Sequence, residues 1–327
     1  RDLDTASRVV FFVPVLLLLL KYSIKTCVLS YSIPLGSIIS LCVALYDKFI
    51  LNLRPEQNPR IMHIQGGDIS MSLGILSLII ALYAHQKKDV KLTALSVIGG
   101  LCGIVGSLLS TARGGWVALP VLLIVILYIY RHSLSKRFFL TFFGIIAIAS
   151  VGISQMPNNR IMERINVAQK DIQLYLDKNN GNTSLGARFE MWKSAIAMAK
   201  EKPLFGWGIQ GATEKRKQET KEKIATGNIG QFTHAHNQYL DDLSKRGIVG
   251  LLALLAVLFI PLCTFMKNLK TVNNEIKLIA TLGVAHILSV MIYGLSQGFL
   301  VHNSGTIFYF FLTIVFYAAI RTHQKAE

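Results

Sequence analysis

The feature that most constrains this chain is a series of long apolar runs that contain no Asp, Glu, Lys or Arg. Several of these runs approach the ~20 residues that an α-helix needs to cross the hydrocarbon core of a bilayer. Because backbone polar groups inside lipid must pair with one another, runs of this length predict helices. We predict nine spans, at residues 9–20, 27–46, 69–84, 92–111, 115–130, 138–156, 247–266, 278–300 and 305–320.

Basic residues are divided unequally between the two sets of connections. The set that includes the C-terminal tail carries 13 Lys and Arg, and the other set of short loops carries four. The positive-inside rule places the basic-rich set in the cytoplasm, so that residues 157–246 lie outside together with Arg113. The same pattern puts the start of the chain outside. With an odd number of spans and Arg1 in place of Met, we expect earlier spans to precede it.

The net charge of +16 would suggest nucleic acid in a soluble protein. Here the Lys and Arg flank apolar runs, which predicts contact with membrane lipid and no nucleic-acid partner. The four cysteines all fall inside apolar runs and form no CxxC pair, which argues against a disulfide framework or a structural zinc site.

The segment at 157–246 is too long to be a simple connector, and it carries signals of helical structure. Thr183 and Ser184 are placed to cap a helix from Leu185 to about Lys200. Its predicted apolar face consists of Leu185, Phe189, Trp192 and Ile196. The charged stretch at 214–225 predicts a solvated helix. A last helix is predicted from near His236 to Gly247, a residue type that favours helix ends.

These patterns predict an all-α fold, a polytopic helical membrane protein with a large, mostly helical external loop. Residues 1–156 would hold about six spans, residues 157–246 the loop, and residues 247–327 about three spans.

Four residues are candidates for chemistry on the outer side. His236 and the nearby His234 precede a span, and His is the side chain best suited to proton transfer near neutral pH. Arg113 lies in a short turn between two apolar runs, where it serves either as a snorkelling anchor or as a phosphate clamp. Arg188 lies near the start of the predicted loop helix, where a solvated face is the alternative interpretation. Because no convincing acidic cluster lies in the outer loops, we expect no metal and no cofactor.

Three motifs in this order resemble the O-antigen ligases. His236-Asn237, nine residues, and then Gly247-Ile248-Val249-Gly250 fit the family pattern H-[NSQ]-x9-G-x-x-[GTY]. The stretch at 183–188, Thr-Ser-Leu-Gly-Ala-Arg, is similar to the start of the large periplasmic loop of the ligases. The stretch at 111–114, Thr-Ala-Arg-Gly, is similar to their short S/T-x-R turn. The resemblance covers most of the chain, and the family normally has about twelve spans, which agrees with further spans before Arg1.

The resemblance implies a glycosyltransferase of the O-antigen ligase and polymerase superfamily in the bacterial inner membrane, with its large loop in the periplasm. It would transfer a glycan from undecaprenyl pyrophosphate to a sugar hydroxyl of lipid A-core, without a metal and with inversion, during lipopolysaccharide synthesis. Carried over to this sequence, the catalytic base is His236, and the pyrophosphate ligands are Arg113 and Arg188. His234, Arg54 and Arg60 match no family motif.

Other functions remain open at this point. An O-antigen polymerase or a protein O-oligosaccharyltransferase of the same superfamily would use the same type of donor and differ only in its acceptor. A membrane transporter is the alternative from another class. Such proteins usually show inverted repeats or charges at mid-membrane, and neither is clear in this sequence.

Overall fold

The computed structural model describes the backbone of residues 2–22, 24–53, 62–111, 113–132, 134 and 160–326. The predicted span at 138–156 and the residues Arg54 and Arg60 lie outside this part of the chain. The described α-helices are α1 (Asp2–Lys21), α2 (Thr26–Phe49), α3 (His63–Gln86), α4 (Val90–Ser110), α5 (Arg113–Tyr130), α6 (Arg160–Lys178), α7 (Ser184–Glu201), α8 (Gly208–Lys221), α9 (Gln238–Asn268), α10 (Asn274–Gly294) and α11 (Asn303–Ala326). Two short 3-10 helices occur at Ile229–Gln231 and Phe299–Val301, and no strand occurs among the described residues.

Among the described residues, six helices are long and apolar enough to cross a membrane, namely α2, α3, α4, α9, α10 and α11. Two shorter apolar helices, Val9–Lys21 and Gly114–Tyr130, coincide with two further predicted runs. The prediction of a helical, multi-pass membrane protein is therefore confirmed. The predicted run at 278–300 was too long, because helix α10 ends at Gly294 and a turn containing Ser296, Gln297 and Gly298 follows it.

The chain forms two compact units, one of residues 1–129 and 254–327 and one of residues 130–253. In the first unit, α3 and α4 approach closely through small residues. A Cβ atom on Gly103 would lie 2.5 Å from the Ser70 carbonyl oxygen and 2.6 Å from the Cα atom of Gly74. The Ser70 hydroxyl also donates to the Gly103 carbonyl at 3.0 Å. Small residues and interhelical hydroxyl bonds commonly hold membrane helices together, because lipid provides no hydrophobic driving force between them.

One end of the first unit gathers the ends of four helices around Glu275, at the start of α10. The Thr26 hydroxyl donates to the Glu275 carboxylate at 2.6 Å. Lys87 at the end of α3 lies 3.5 Å from the same carboxylate, and His323 near the end of α11 lies 3.6 Å from it. Connections that the charge pattern assigns to one side of the membrane therefore meet in space.

The second unit is built on a small core between α7 and the segment that leads into α9. Met191, Ala195, Ile229 and Ala235 are buried at its centre. As predicted, Thr183 caps α7, and its hydroxyl accepts a hydrogen bond from the N–H of Gly186 at 3.0 Å.

The apolar face predicted for α7 was correct at Trp192, which packs against this core, and wrong at Ile196. Ile196 is 43% exposed, whereas Met191, Ala195 and Met198 are buried. Met191 and Ala195 pack inward against Ile229 and Ala235. Phe189 instead packs its ring 5.0 Å from that of Tyr175, on α6.

A buried carboxylate joins α7 to its neighbours. Glu190 accepts hydrogen bonds from the Tyr175 hydroxyl, from the N–H of Thr226 at 2.9 Å and from the Lys193 ammonium at 3.3 Å. Burial by itself raises the pKa of Glu190, but these three donors outweigh it, and the pKa lies below its usual value.

The charged stretch at 214–225 is not wholly solvated. Most of it lies in α8, whose Arg216 is fully buried and whose Glu219 is 6% exposed. Because most residues of the segment are charged, its sequence does not indicate that one face of the helix is buried. That face carries a guanidinium group into the region that precedes α9.

Candidate functional site

His236 occupies a strained position immediately before α9. Its backbone φ is 50°, a left-handed conformation that non-glycine residues seldom adopt. Asn237 follows it and caps α9, because its side-chain oxygen accepts hydrogen bonds from the N–H groups of Tyr239 and Leu240, each at 3.1 Å. The predicted start of a helix near His236 is confirmed to within two residues. The H-N pair of the motif therefore consists of a strained histidine and a helix cap.

Three hydrogen bonds hold the backbone of Ala235 and His236. The N–H of Ala235 donates to the Asp241 carboxylate at 2.9 Å. The indole N–H of Trp192 donates to the Ala235 carbonyl at 3.0 Å, and the N–H of His236 donates to the ring Nδ1 of His234 at 3.3 Å. A strained conformation persists only when its surroundings enforce it, and these contacts provide that support.

Two buried cations converge on the carbonyl oxygen of Thr233. Arg216 donates to it at 3.0 Å and Lys245 at 2.9 Å. Lys245 also pairs with Asp241 at 2.6 Å, and both of these side chains are almost fully buried. Burial lowers the pKa of Arg216, and the negative charges of Asp241 and Glu219 oppose that shift. This arrangement is not evident from the sequence, because its most distant members, Arg216 and Lys245, are 29 residues apart in the chain.

The imidazole ring of His236 packs between two other rings. The His234 ring lies edge-on with its centroid 4.2 Å away, and the Phe232 ring lies edge-on at 5.4 Å. The His236 side chain remains partly exposed. The imidazole thus contacts two neighbouring rings and stays open to solvent on part of its surface, as a proton acceptor requires.

Arg188 belongs to the same unit as His236. It lies in the second turn of α7, is partly exposed, and precedes Trp192 by four residues. Residues four apart share a helix face, and Trp192 binds the carbonyl of the residue before His236. The structure therefore places Arg188 on the face of α7 that borders the His236 segment.

Arg113 begins α5 in the first unit, after Thr111 in a left-handed conformation with φ of 62°. The two glycines that follow are buried by the protein itself. A Cβ atom on Gly114 would lie 3.2 and 3.3 Å from the two carboxylate oxygens of Asp68, and one on Gly115 would lie 2.8 Å from the Ser107 hydroxyl. The small residues thus let the turn at Arg113 press against α3.

Asp68, which directly precedes the predicted span at 69–84, is a buried acid. It lies inside α3, has no measurable exposure, and accepts a hydrogen bond from the side-chain amide of Gln297. The first turn of α5 therefore packs against the Asp68 side chain. Acidic residues inside membrane segments usually mark functional positions.

Gly247 explains the glycine of the motif. Its φ of 64° and ψ of −162° interrupt α9, a combination that is essentially restricted to glycine. A Cβ atom there would lie 2.3 Å from both the carbonyl carbon and oxygen of Leu204. The predicted helix end at Gly247 is therefore a kink, after which the apolar part of α9 continues.

Comparison with known proteins agrees with this geometry. A model of the O-antigen ligase family matches residues 98–255, a range that includes Arg113, Arg188 and the motif from His236 to Gly250. A protein of Haemophilus influenzae, described only as uncharacterized, is 42% identical over 316 residues, which cover 97% of this chain and 79% of that protein. The match, the order of the motifs and the membrane-spanning helices lead to one conclusion: this chain belongs to the O-antigen ligase superfamily.

Proposed function

We propose that this protein is an O-antigen ligase, which transfers a glycan from undecaprenyl pyrophosphate to a sugar hydroxyl of lipid A-core on the periplasmic side of the bacterial inner membrane. The observation that carries the proposal is the enforced left-handed backbone of His236, within the family's own motif and next to a membrane span. A left-handed backbone is uncommon for a residue other than glycine, and within a family motif it supports a functional role for that position.

In the proposed reaction, His236 acts as general base. The acceptor hydroxyl gives its proton to the imidazole as its oxygen forms a bond to the anomeric carbon of the donor. The bond from that carbon to the pyrophosphate oxygen breaks, and the electron pair leaves with the pyrophosphate. Attack from the face opposite the leaving group inverts the anomeric centre.

Arg113 and Arg188 are the proposed ligands of the pyrophosphate. A guanidinium group matches phosphate oxygens with two parallel hydrogen bonds, and its charge offsets the negative charge that develops on the leaving group. Pyrophosphate is already a good leaving group, so the mechanism requires no general acid. Because the arginines supply the positive charge, we expect transfer to persist in EDTA.

The experiment that tests the proposal is transfer by purified protein in liposomes. The reaction contains an undecaprenyl-pyrophosphate-linked glycan and lipid A-core, and the joined product is the readout. A polymerase would instead lengthen the lipid-linked glycan, and an O-oligosaccharyltransferase would modify a protein acceptor. Failure to form a product with any of these three acceptors would refute this class of function.

Within that assay, His236→Ala should lose most of the transfer, since general-base catalysis contributes ~10²–10⁴-fold. His236→Gln should be no better, because an amide does not accept the proton. His234→Ala should be milder, because His234 supports the His236 backbone but is outside the motif. Transfer by His236→Ala at a rate close to that of the unaltered protein would remove the proposed base.

A further inference from the structure

The turn between α7 and α8 exposes two large apolar side chains. Leu204 is 60% exposed and Phe205 is 73% exposed, although both lie in a well-formed turn. The turn is not a free loop, because the N–H of Gly206 donates to the Lys202 carbonyl at 3.1 Å and the N–H of Trp207 donates to the Ser244 carbonyl at 3.0 Å. Large apolar side chains that a rigid turn exposes in this way mark a surface that contacts a membrane or another apolar surface.

This turn is bonded to the first residues of a membrane span. The N–H of Ile248 donates to the Pro203 carbonyl at 2.8 Å, and the N–H of Val249 donates to the Leu204 carbonyl at 3.3 Å. Residues 247–266 contain no charged residue and form the apolar part of α9. Leu204 and Phe205 therefore lie at the level where α9 begins to be apolar.

Two glycines fix this contact. Gly206 and Gly247 both have positive φ, of 68° and 64°. A Cβ atom on Gly206 would lie 2.5 Å from the carbonyl carbon of Lys245, and one on Gly247 would lie 2.3 Å from that of Leu204. The two backbones interlock without side chains between them, so the height of the turn relative to the span is set by the fold.

The surroundings of the turn have the composition of a membrane interface. Lys202 lies over the Trp207 ring at 4.0 Å from its centroid, and Lys215 lies at 5.0 Å from the same centroid. Tryptophan concentrates at the level of lipid head groups, and lysine extends its charge toward phosphate while its stem contacts apolar groups. Ile248 and Val249, at the start of the span, are themselves 39% and 49% exposed.

We propose that Leu204 and Phe205 insert into the interfacial layer of the lipid bilayer and anchor the large loop to the membrane surface. The occupant of this surface is lipid, because the turn is continuous with a helix that enters the membrane. Lys202, which lies over the Trp207 ring, contacts lipid phosphates beside the anchor, whereas the Lys215 ammonium pairs with Glu201 at 3.2 Å. This contact does not depend on which side of the membrane the loop faces or on the reaction that the protein catalyses.

A consequence for the reaction rests on the proposed function. Gly206 touches Lys245, and Lys245 donates to the Thr233 carbonyl three residues before His236. The anchor thus helps to hold His236 at a fixed depth beside the membrane, where a lipid-linked pyrophosphate lies.

The test uses the full chain in liposomes, with its four cysteines replaced by alanine. A single Phe205→Cys is labelled with an environment-sensitive fluorophore. Ile224→Cys is the matched control, since Ile224 is 67% exposed in the same unit and its N–H bonds to Glu219 of α8 and not to the span. If Phe205→Cys does not fold, Leu204→Cys serves as the second probe. Folding is judged by whether the variant elutes in gel filtration at the same volume as the parent protein.

Lipids that carry a nitroxide near the head group should quench most of the fluorescence at position 205 or 204 and little at position 224. Iodide in the water should quench position 224 preferentially. Equal quenching of both positions by iodide would overturn the proposal. Protection of position 205 from both quenchers would overturn it as well, because the turn would then contact protein. Neither readout requires transfer activity, so a failure here is distinct from a failure of the proposed function.

Discussion

The ion pair between Asp241 and Lys245 should govern the stability of the His236 segment. The Asp241 side chain is 1% exposed and that of Lys245 is 5% exposed. Asp241→Ala removes the acceptor of the Ala235 N–H and leaves the ammonium of Lys245 buried with only the Thr233 carbonyl. Breaking a buried pair on one side costs about 3–5 kcal/mol, which is roughly a hundred- to several-thousand-fold in the population of the open segment.

The neighbouring pair on the same helix is a matched control. Arg246 and Asp242 have the same spacing of four residues, but the Arg246 side chain is 51% exposed. Asp242 is only 6% exposed, but it keeps the hydrogen bond from the Gln238 side-chain amide when Arg246 is removed. Because solvent screens the exposed Arg246 partner, Arg246→Ala should cost less than Asp241→Ala.

Hydrogen exchange of a peptide that spans residues 232–240 measures the effect in the full-length protein. Asp241→Ala should accelerate exchange at Ala235 and His236 far more than Arg246→Ala does. Asp241→Asn should lie between them, because its amide oxygen can still accept the hydrogen bond from the Ala235 N–H. The double variant Asp241→Ala with Lys245→Met should recover part of the loss. Equal exchange in Asp241→Ala and Arg246→Ala would refute the reasoning.

Three further predictions test other parts of the fold. Gly247→Ala should lower the stability of the loop in thermal unfolding by roughly 2–6 kcal/mol, because backbone strain and steric overlap add. Gly211→Ala is the control in the same measurement and should be neutral or slightly stabilising, because its Cβ would meet nothing closer than 3.7 Å. The low pKa of Glu190 contributes stability that is present above its usual pKa of about 4.3 and is lost as the pH falls through the lower folded value; Glu190→Gln should therefore be less stable at pH 7 and lose less on acidification, and parallel pH curves would contradict this. If Asp68 orients the turn that contains Arg113, Asp68→Asn should raise the KM for the lipid-linked donor and leave insertion of the protein into the membrane unchanged. An unaltered KM would exclude that role.

The membrane helices could be predicted because the bilayer imposes one simple rule. A run without charge and near 20 residues long must form a helix in lipid, and the described helices follow the predicted runs. The rule fails where apolar content continues through a turn, as it does beyond Gly294. It also fails for Asp68, because a single acid at the edge of an apolar run can equally end a loop or lie buried inside a helix.

The loop was harder to predict because its core is made of small residues and buried charges. Thr183 could be identified as a cap, since capping depends on local sequence alone. The inward position of Arg216 depends on Thr233 and Asp241, which lie 17 and 25 residues further along the chain. The strained backbone of His236 likewise has no local signal, because it results from contacts with α7 and α9. Only the motif residues themselves marked this region as functional.

The kink at Gly247 resolves a geometric problem in the proposed reaction. Residues 238–246 form about 13 Å of helix at 1.5 Å per residue, and a straight helix standing upright on the membrane would raise His236 by that distance above the start of the span. The head-group layer of one leaflet is only about 5–8 Å thick, half the difference between the full bilayer and its hydrocarbon core. A base at that height would stand clear of a pyrophosphate held at the lipid surface. Because Gly247 breaks the helix and locks it to Leu204, the first part of α9 need not continue along the axis of the span, and the histidine can lie at the depth of the donor.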